Sequence, residues 1–496
     1  MALPVKTERP EIFWEFTRSI CPTCKRLIDA QILLRDNRVV MRKRCPAHGW
    51  FEALVFSDAQ LYTDIARYNK PGTLPLEFAT DVKDGCPYDC GLCAEHKQHA
   101  CLALIEVNNA CNLDCPLCFA NAGTHLAQTG FQLTFEQVNF MLERFVAAEG
   151  EPEVVQFSGG EPTLHPRILD FIELAKRKGI GYVMLNTNGI RIATDDKLLA
   201  GLERLKPHVY LQFDGFDAAT NLALRGRADL LDTKLRALER LAQADVRVVL
   251  VAAIERGIND HEIGRIVEFG LKHPAVFGVN FQPAFRAQRH VAADPLQRIT
   301  IPDVIRNLET QTHGLFAASD FVPVPCCMPT CNFVTYALLD GDSVQPITRF
   351  IEIDQYLDYL KNRTLPGLND EILHTLERLW SSSAQVGSER AAADVQFVLA
   401  GQTPPVENTR TAERCVACQA HLPLDAHAPR DLARHIFMVN TRDFMDPWTF
   451  NVKNAMKCCV EFLVPDGRMI PFCTYNSVGY RERITLEMMQ ATGESQ

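Results

Sequence analysis

The chain has 496 residues, 47% hydrophobic and 23% charged, with 51 basic against 61 acidic side chains and a formal net charge of −10. This is an ordinary globular composition, long enough for about three domains. Net acidity without a long basic run argues against nucleic-acid binding through phosphate neutralisation. No apolar run reaches the roughly 18 residues of a membrane span, and the opening MALPVKTERPEIFWEF lacks a signal-peptide core. A cytoplasmic protein without a transmembrane segment is expected, with transient membrane contact left open.

Eighteen cysteines in such a chain point to metal binding in a reducing compartment rather than to disulfides. Nearly all are clustered. In chain order, Cys21-Pro-Thr-Cys24 and Cys45-Pro-Ala-His48 form two knuckle-like turns, expected to hold a structural zinc or a rubredoxin-like iron through Cys21, Cys24, Cys45 and His48. Next comes CPYDCGLC, with Cys86, Cys90 and Cys93, then Cys101. This group reads as a second iron–sulfur cluster with Cys101 as its possible fourth ligand, or equally as a mononuclear site on the same sulfurs.

Residues 103–108 read as a strand that runs into CNLDCPLC, with Cys111, Cys115 and Cys118. Soft thiolates favour iron–sulfur clusters or zinc. A cubane takes four cysteines, so a three-cysteine loop leaves one iron open to a ligand that is not protein. From there strands and helices alternate. A helix is expected over 134–148, with Val138, Met141, Leu142 and Phe145 on one face, then a strand at 154–157 that ends in Ser158-Gly159-Gly160-Glu161-Pro162-Thr163. Ile168, Leu169, Ile172 and Ala175 have helical spacing. Further strands are expected at 182–185, 208–213, 246–254 and 276–281, with a capping box at Asn259 and Glu262 opening a helix. Such alternation implies a parallel sheet with right-handed crossovers, either a partial barrel or an open doubly wound sheet. Chemistry then falls at the carboxyl ends of the strands, where Glu161, Asn186, Asn188, Asp214, Glu255 and Gln282 lie.

The cysteine loop after one strand and the Gly-Gly-Glu-Pro run after the next resemble the radical S-adenosylmethionine (SAM) superfamily. The resemblance implies a partial (β/α)6 barrel of the TIM type. Cys111, Cys115 and Cys118 would hold a catalytic [4Fe-4S] cluster whose open iron chelates SAM. Phe119 matches the aromatic that follows the last ligand, and Ser158, Gly159, Gly160 and Glu161 match the segment that holds the SAM ammonium group. Asn188 and Asp214 are candidates for the SAM ribose or the substrate. The family's reaction is reductive cleavage of SAM to a 5′-deoxyadenosyl radical that abstracts hydrogen from an unactivated carbon, fed by an external donor such as flavodoxin or ferredoxin.

The flanking cysteines resemble those of a branch that includes an archaeal methyltransferase of 7,8-dihydro-6-hydroxymethylpterin and the tetraether lipid synthases. That branch implies an auxiliary [4Fe-4S] cluster from Cys331 and Cys473 with one of Cys326/Cys327 and one of Cys458/Cys459, and C–C bond formation on a lipid or pterin. Small cysteine-rich domains over 1–100 and 316–496 would then flank the barrel at 101–315. Cys415 and Cys418 find no place in this scheme, and the aromatic segment 437–450 reads either as core or as the wall of a lipid tunnel. A peptide-modifying maturase and a non-catalytic iron–sulfur electron carrier are the alternative functions.

Overall fold

The computed structural model describes residues 10–290, 294–341, 343–349 and 435–493. Cys415 and Cys418 lie outside these residues. The amino-terminal unit is a four-stranded antiparallel sheet in the order β1 (Ile12–Ile20), β2 (Leu27–Arg35), β3 (Arg38–Cys45) and β4 (Gly49–Phe56). Asp36 and Asn37 join β2 to β3 with φ of 52° and 53°, the left-handed pair that a tight hairpin needs and that Asx residues tolerate. The other two hairpin turns carry the knuckle cysteines. Helix α1 (Ala59–Asp64) leads away from this sheet.

Strand and helix then alternate: β5 (Leu102–Glu106), α2 (Phe135–Glu149), β6 (Val154–Ser158), α3 (Ile168–Arg177), β7 (Tyr182–Thr187), α4 (Asp196–Leu205) and β8 (His208–Gln212). Two helices, α5 (Ala218–Arg225) and α6 (Leu231–Gln243), precede β9 (Val248–Ile254), which is followed by α7 (Ile263–Lys272), β10 (Val276–Pro283) and α8 (Ile301–Gln311). The carboxyl-terminal part adds β11 (Val322–Pro323), β12 (Asn332–Asp340), β13 (Ser343–Pro346), β14 (Ile436–Arg442), α9 (Val452–Met456), β15 (Val460–Leu463), β16 (Met469–Pro471), α10 (Phe472–Ser477) and α11 (Tyr480–Gly493).

The six strands β5 to β10 pair in sequence order, all parallel. The sheet continues past both ends of that series. β15 adds in parallel beside β5, and β14 in parallel beside β10. The antiparallel β16 and β12 lie beyond them. Because successive side chains alternate faces, each strand feeds two cores. Ala103, Ile105, Val155, Phe157, Val183, Leu185, Val279 and Val439 pack under the helices. Leu102, Leu104, Val154, Met184, Tyr210, Val249, Val251 and Met438 face inward with residues of the carboxyl-terminal part. A single internal space is lined from β5, β6, β7, β8, β9, β10, β14 and β15 alike, so the sheet curls around a lumen.

Local signals account for much of this. Thr134 caps α2 in a capping box with Gln137. The box expected at Asn259 and Glu262 does not form, because both side chains bind across the sheet ends instead. Asn259 Nδ2 donates to Asp214 O at 2.8 Å, and the Glu262 carboxylate accepts from Phe216 N and Thr220 Oγ1. Among the described residues no helix is long and apolar enough to cross a membrane.

Candidate active site and metal centres

The cysteine loop after β5 is pinned along its length. Cys111 N donates to Gly123 O, Cys118 N to Arg289 O and Leu117 N to Leu224 O. The Asp114 carboxylate accepts from Thr124 N and Thr124 Oγ1, closing the loop on itself. Cys111, Cys115 and Cys118 thereby line one wall of a cavity of about 1090 Å³, mouth included. Burial pushes the Cys111 thiol up to about 12 and raises that of Cys115, against which the Arg225 guanidinium acts.

The Gly-Gly-Glu loop after β6 lines the same cavity. It packs backbone against backbone: Gly160 N donates to Asn108 O and Glu161 N to Ala110 O, both at 2.9 Å. Gly159 has φ of 137°, and a Cβ on Gly160 would lie 2.1 Å from Ala110 O. Only glycine permits this approach. The Glu161 carboxylate is buried and accepts from Thr163 N, Thr163 Oγ1, Thr187 Oγ1 and Asn188 N. Burial raises its pKa and those donors oppose the rise. The side chain therefore ties the ends of β6 and β7 together. Asn188, held by that bond, donates to Asn112 Oδ1 at 2.6 Å and so links the β7 end to the cysteine loop.

Phe119, Ser158, Asn186 and Gln282 line the same cavity. Asp214 does not. It is fully buried and binds Arg225 through two bonds, Nε to Oδ2 at 2.6 Å and Nη2 to Oδ1 at 2.7 Å, while Ala253 N donates to Oδ1. Its oxygens are occupied, and Arg225 is the residue that reaches the cavity. Glu255 is also withdrawn, paired with Arg286 at 3.3 Å. Sequence reasoning missed Gln212, Arg225, Phe285 and Phe472, all on the cavity wall with Phe444 of the aromatic segment. Gln212, at the end of β8, had a positional signal; Arg225, on the helix beyond, had none. Also unanticipated is Lys234, buried on α6, whose Nζ donates to Gln212 O at 2.6 Å and to Asn188 O at 3.3 Å. Burial brings its pKa down to about 8. The aromatic segment 437–450 divides: Phe437 is core, whereas Phe444 stacks on Phe472 at 4.1 Å and closes the lumen.

The other cysteines form separate centres. Ligand atoms of Cys21, Cys24, Cys45 and His48 all lie within 4.8 Å of one another, a span that suits one ion. Cys86 and Cys90 are in thiol contact. Their loop is held by the Asp89 carboxylate, which accepts from the amides of Lys83, Asp84 and Gly85, and by Cys90 N donating to Tyr480 Oη. Cys101 does not join Cys93 in a ligand group. The structure brings it instead within 4.8 Å of Cys326 and Cys459. Cys327 touches Cys326, Cys331 and Cys459 there. Both members of the Cys326/Cys327 pair therefore lie in this group of thiols, with Cys459 and not Cys458. The Cys458 thiol turns to Val460 O, and Cys473 Sγ accepts from Met445 N at 3.3 Å.

The radical SAM superfamily model matches residues 105–270, and that of the HMPTM N-terminal zinc ribbon domain matches residues 13–57. A 7,8-dihydro-6-hydroxymethylpterin dimethyltransferase of Methanocaldococcus jannaschii is 34% identical over 490 residues, 94% of each chain. A GTP 3′,8-cyclase of Chlorobaculum tepidum is 33% identical over 171 residues, 34% of this chain and 49% of that protein. Among solved structures, SuiB of Streptococcus suis bound to S-adenosylmethionine aligns over 43% of this chain and 47% of its own, at 15% identity and a TM-score of 0.34. The cyclase shares little more than the barrel, but similarity to the dimethyltransferase runs through ribbon, barrel and carboxyl-terminal part together. The chain is thus an enzyme of the radical SAM superfamily, in the branch of the 7,8-dihydro-6-hydroxymethylpterin dimethyltransferase.

Proposed function

We propose that this enzyme methylates a carbon of a reduced pterin-like heterocycle, with Cys111, Cys115 and Cys118 holding a [4Fe-4S] cluster and the Gly159–Gly160 loop holding SAM. The observation that carries the reading is that the three thiols and the glycine loop line one cavity, which shares Ser158, Asn186 and Gln282 with a polar lumen. The donor set fits the cofactors: three soft ligands on a pinned loop, and a glycine loop packed backbone against backbone on that loop and bordering the same cavity. When bound, the reduced cluster and SAM supply a carbon-centred radical able to take hydrogen from an unactivated carbon.

The chain's own residues orient and exclude. Glu161 and Asn188 fix the two loops relative to each other, and Asp214 fixes Arg225 beside Cys115. Phe119, Phe285, Phe444 and Phe472 form an aromatic cover that keeps water from the reacting carbon. Cys21, Cys24, Cys45 and His48 hold a structural zinc or iron. Cys101, Cys326, Cys327 and Cys459 hold an auxiliary cluster, with Cys331 beside them. Cys86, Cys90 and Cys93 offer a further metal site. A small flavodoxin or ferredoxin is the expected electron donor.

A heterocycle is favoured over a lipid chain because the lumen presents Gln156, Asn186, Asn280, Gln282, Asn440 and Arg442, which hydrocarbon cannot satisfy. The test is anaerobic reconstitution with a strong reductant, 7,8-dihydro-6-hydroxymethylpterin and excess SAM, one molecule cleaved to 5′-deoxyadenosine and methionine and another offered as methyl donor. A second arm adds a separate one-carbon donor. Mass spectrometry should find 5′-deoxyadenosine and a pterin heavier by one or two methyl groups. A deletion strain that loses a coupled lipid but keeps its methylated pterins would defeat the proposal.

A further inference from the structure

Ser158, Asn186, Gln282 and Phe444 border both the cavity under the cysteine loop and a deeper space of about 670 Å³ inside the lumen. The far wall of that space is β10 and β14, strands from opposite ends of the fold that pair in parallel with Asn280 directly opposite Asn440. Both asparagines are at least nine-tenths buried, at 3% and 5% exposed. Yet neither side-chain oxygen has a hydrogen-bond donor among the described residues. Two residues on, Arg442 is 8% exposed and faces the same space. Its guanidinium makes no hydrogen bond or ion pair with a described side chain, and the charges nearest to it are the thiols of Cys459, Cys327 and Cys326.

Buried amide oxygens without donors among the described residues are costly unless a ligand completes them, and the guanidinium beside them offers N–H groups to the same ligand. The complement is a flat group with N–H donors on one edge and a carbonyl next to them. We infer that Asn280, Asn440 and Arg442 form the subsite that recognises the amino-lactam edge of the substrate heterocycle, the two asparagines accepting from its N–H groups and Arg442 donating to its carbonyl. The inference rests on the function proposed above and assigns the residues that set its specificity. It also puts the substrate's lactam carbonyl against a cation, Arg442, that with Lys457 faces the Cys101–Cys326–Cys459 group.

Binding to the reconstituted holoenzyme is measured by titration with 7,8-dihydro-6-hydroxymethylpterin and with its counterpart bearing oxygen in place of the 2-amino group. Asn280→Leu and Asn440→Leu remove an orphaned polar atom, so folding is expected to survive, with iron content as the control. Each should raise the pterin Kd by at least about tenfold and flatten the discrimination between the two probes. Asn440→Asp, which keeps the acceptor, should recover most of the affinity. Arg442→Gln should weaken the pterin with iron content unchanged. Pterin affinity unaltered in both leucine variants would overturn the subsite while leaving the function standing. Wild-type protein that binds neither probe would overturn both. Loss of iron without loss of pterin affinity in Arg442→Gln would remove Arg442 from the subsite.

Discussion

Asp214 and Arg225 meet in two parallel N–H···O bonds of 2.6 and 2.7 Å, and the same guanidinium lies against Cys115. A carboxylate at the end of β8 thus controls the cysteine loop at second hand. Removing one partner of a buried pair leaves the other charge uncompensated, whereas replacing both with apolar groups is often nearly neutral. Asp214→Asn is expected to lose about 3 kcal/mol of folding stability, and Asp214→Leu with Arg225→Met to recover most of it. Urea unfolding of the three proteins checks this, and a double variant as unstable as the single one would contradict it.

The triple variant Cys111→Ala, Cys115→Ala, Cys118→Ala should release no 5′-deoxyadenosine from SAM. It should keep the ion of the ribbon and the iron of the Cys101–Cys326–Cys327–Cys459 centre, because those ligands are elsewhere. Cys21→Ala should do the reverse and lose only the ribbon ion. Metal analysis of both variants decides the matter, and iron lost entirely in the first would refute separate centres.

Gly160→Ala puts a methyl group where Ala110 O stands 2.1 Å away, so the glycine loop or the cysteine loop must shift. A displacement of that order in a positioning element costs about a hundredfold in turnover. SAM binding should weaken in parallel while iron content holds. Kinetics indistinguishable from wild type would show that the close approach does not matter.

His208 lies between Tyr182, tilted against it, and the edge-on ring of Phe277, and burial with Arg247 nearby brings its pKa down to about 4. A histidine held neutral in the fold but free to protonate when unfolded contributes stability above its unfolded pKa of about 6.5. That contribution is lost as pH falls from there to about 4, because the unfolded state binds the extra proton. His208→Phe should flatten the fall in stability over that window by up to about 3 kcal/mol. Thermal unfolding from pH 7 to pH 4 measures it, and equal slopes in variant and wild type would sink the assignment.

The six central strands were legible from sequence because each carries apolar side chains toward two cores and so reads as an unbroken run. The cysteine loop and the glycine loop were legible for a related reason. Three ligands within eight residues, and a bare backbone turn after a strand, are requirements a loop meets locally. Cys111, Cys115, Cys118, Gly159 and Gly160, singled out by those patterns, all line one cavity. The knuckles were legible because each turn carries two of the four ligands at close spacing.

What sequence spacing could not decide is which distant groups meet. Cys101 stands near the CPYDCGLC run in the chain but beside Cys326 and Cys459 in space, because β15 lies against β5 and carries Cys459 to its start: Leu102 N donates to Cys459 O. The entry of β14 beside β10 likewise brings Asn440 opposite Asn280. Asp214 had the right residue type and position for a ligand contact, and only the return of α5 over β8 shows that its oxygens belong to Arg225. Strand periodicity and loop ligands are set by neighbours in the chain. The pairing of edge strands and of buried charges is set by burial and charge compensation between elements far apart in sequence, and only the folded chain expresses it.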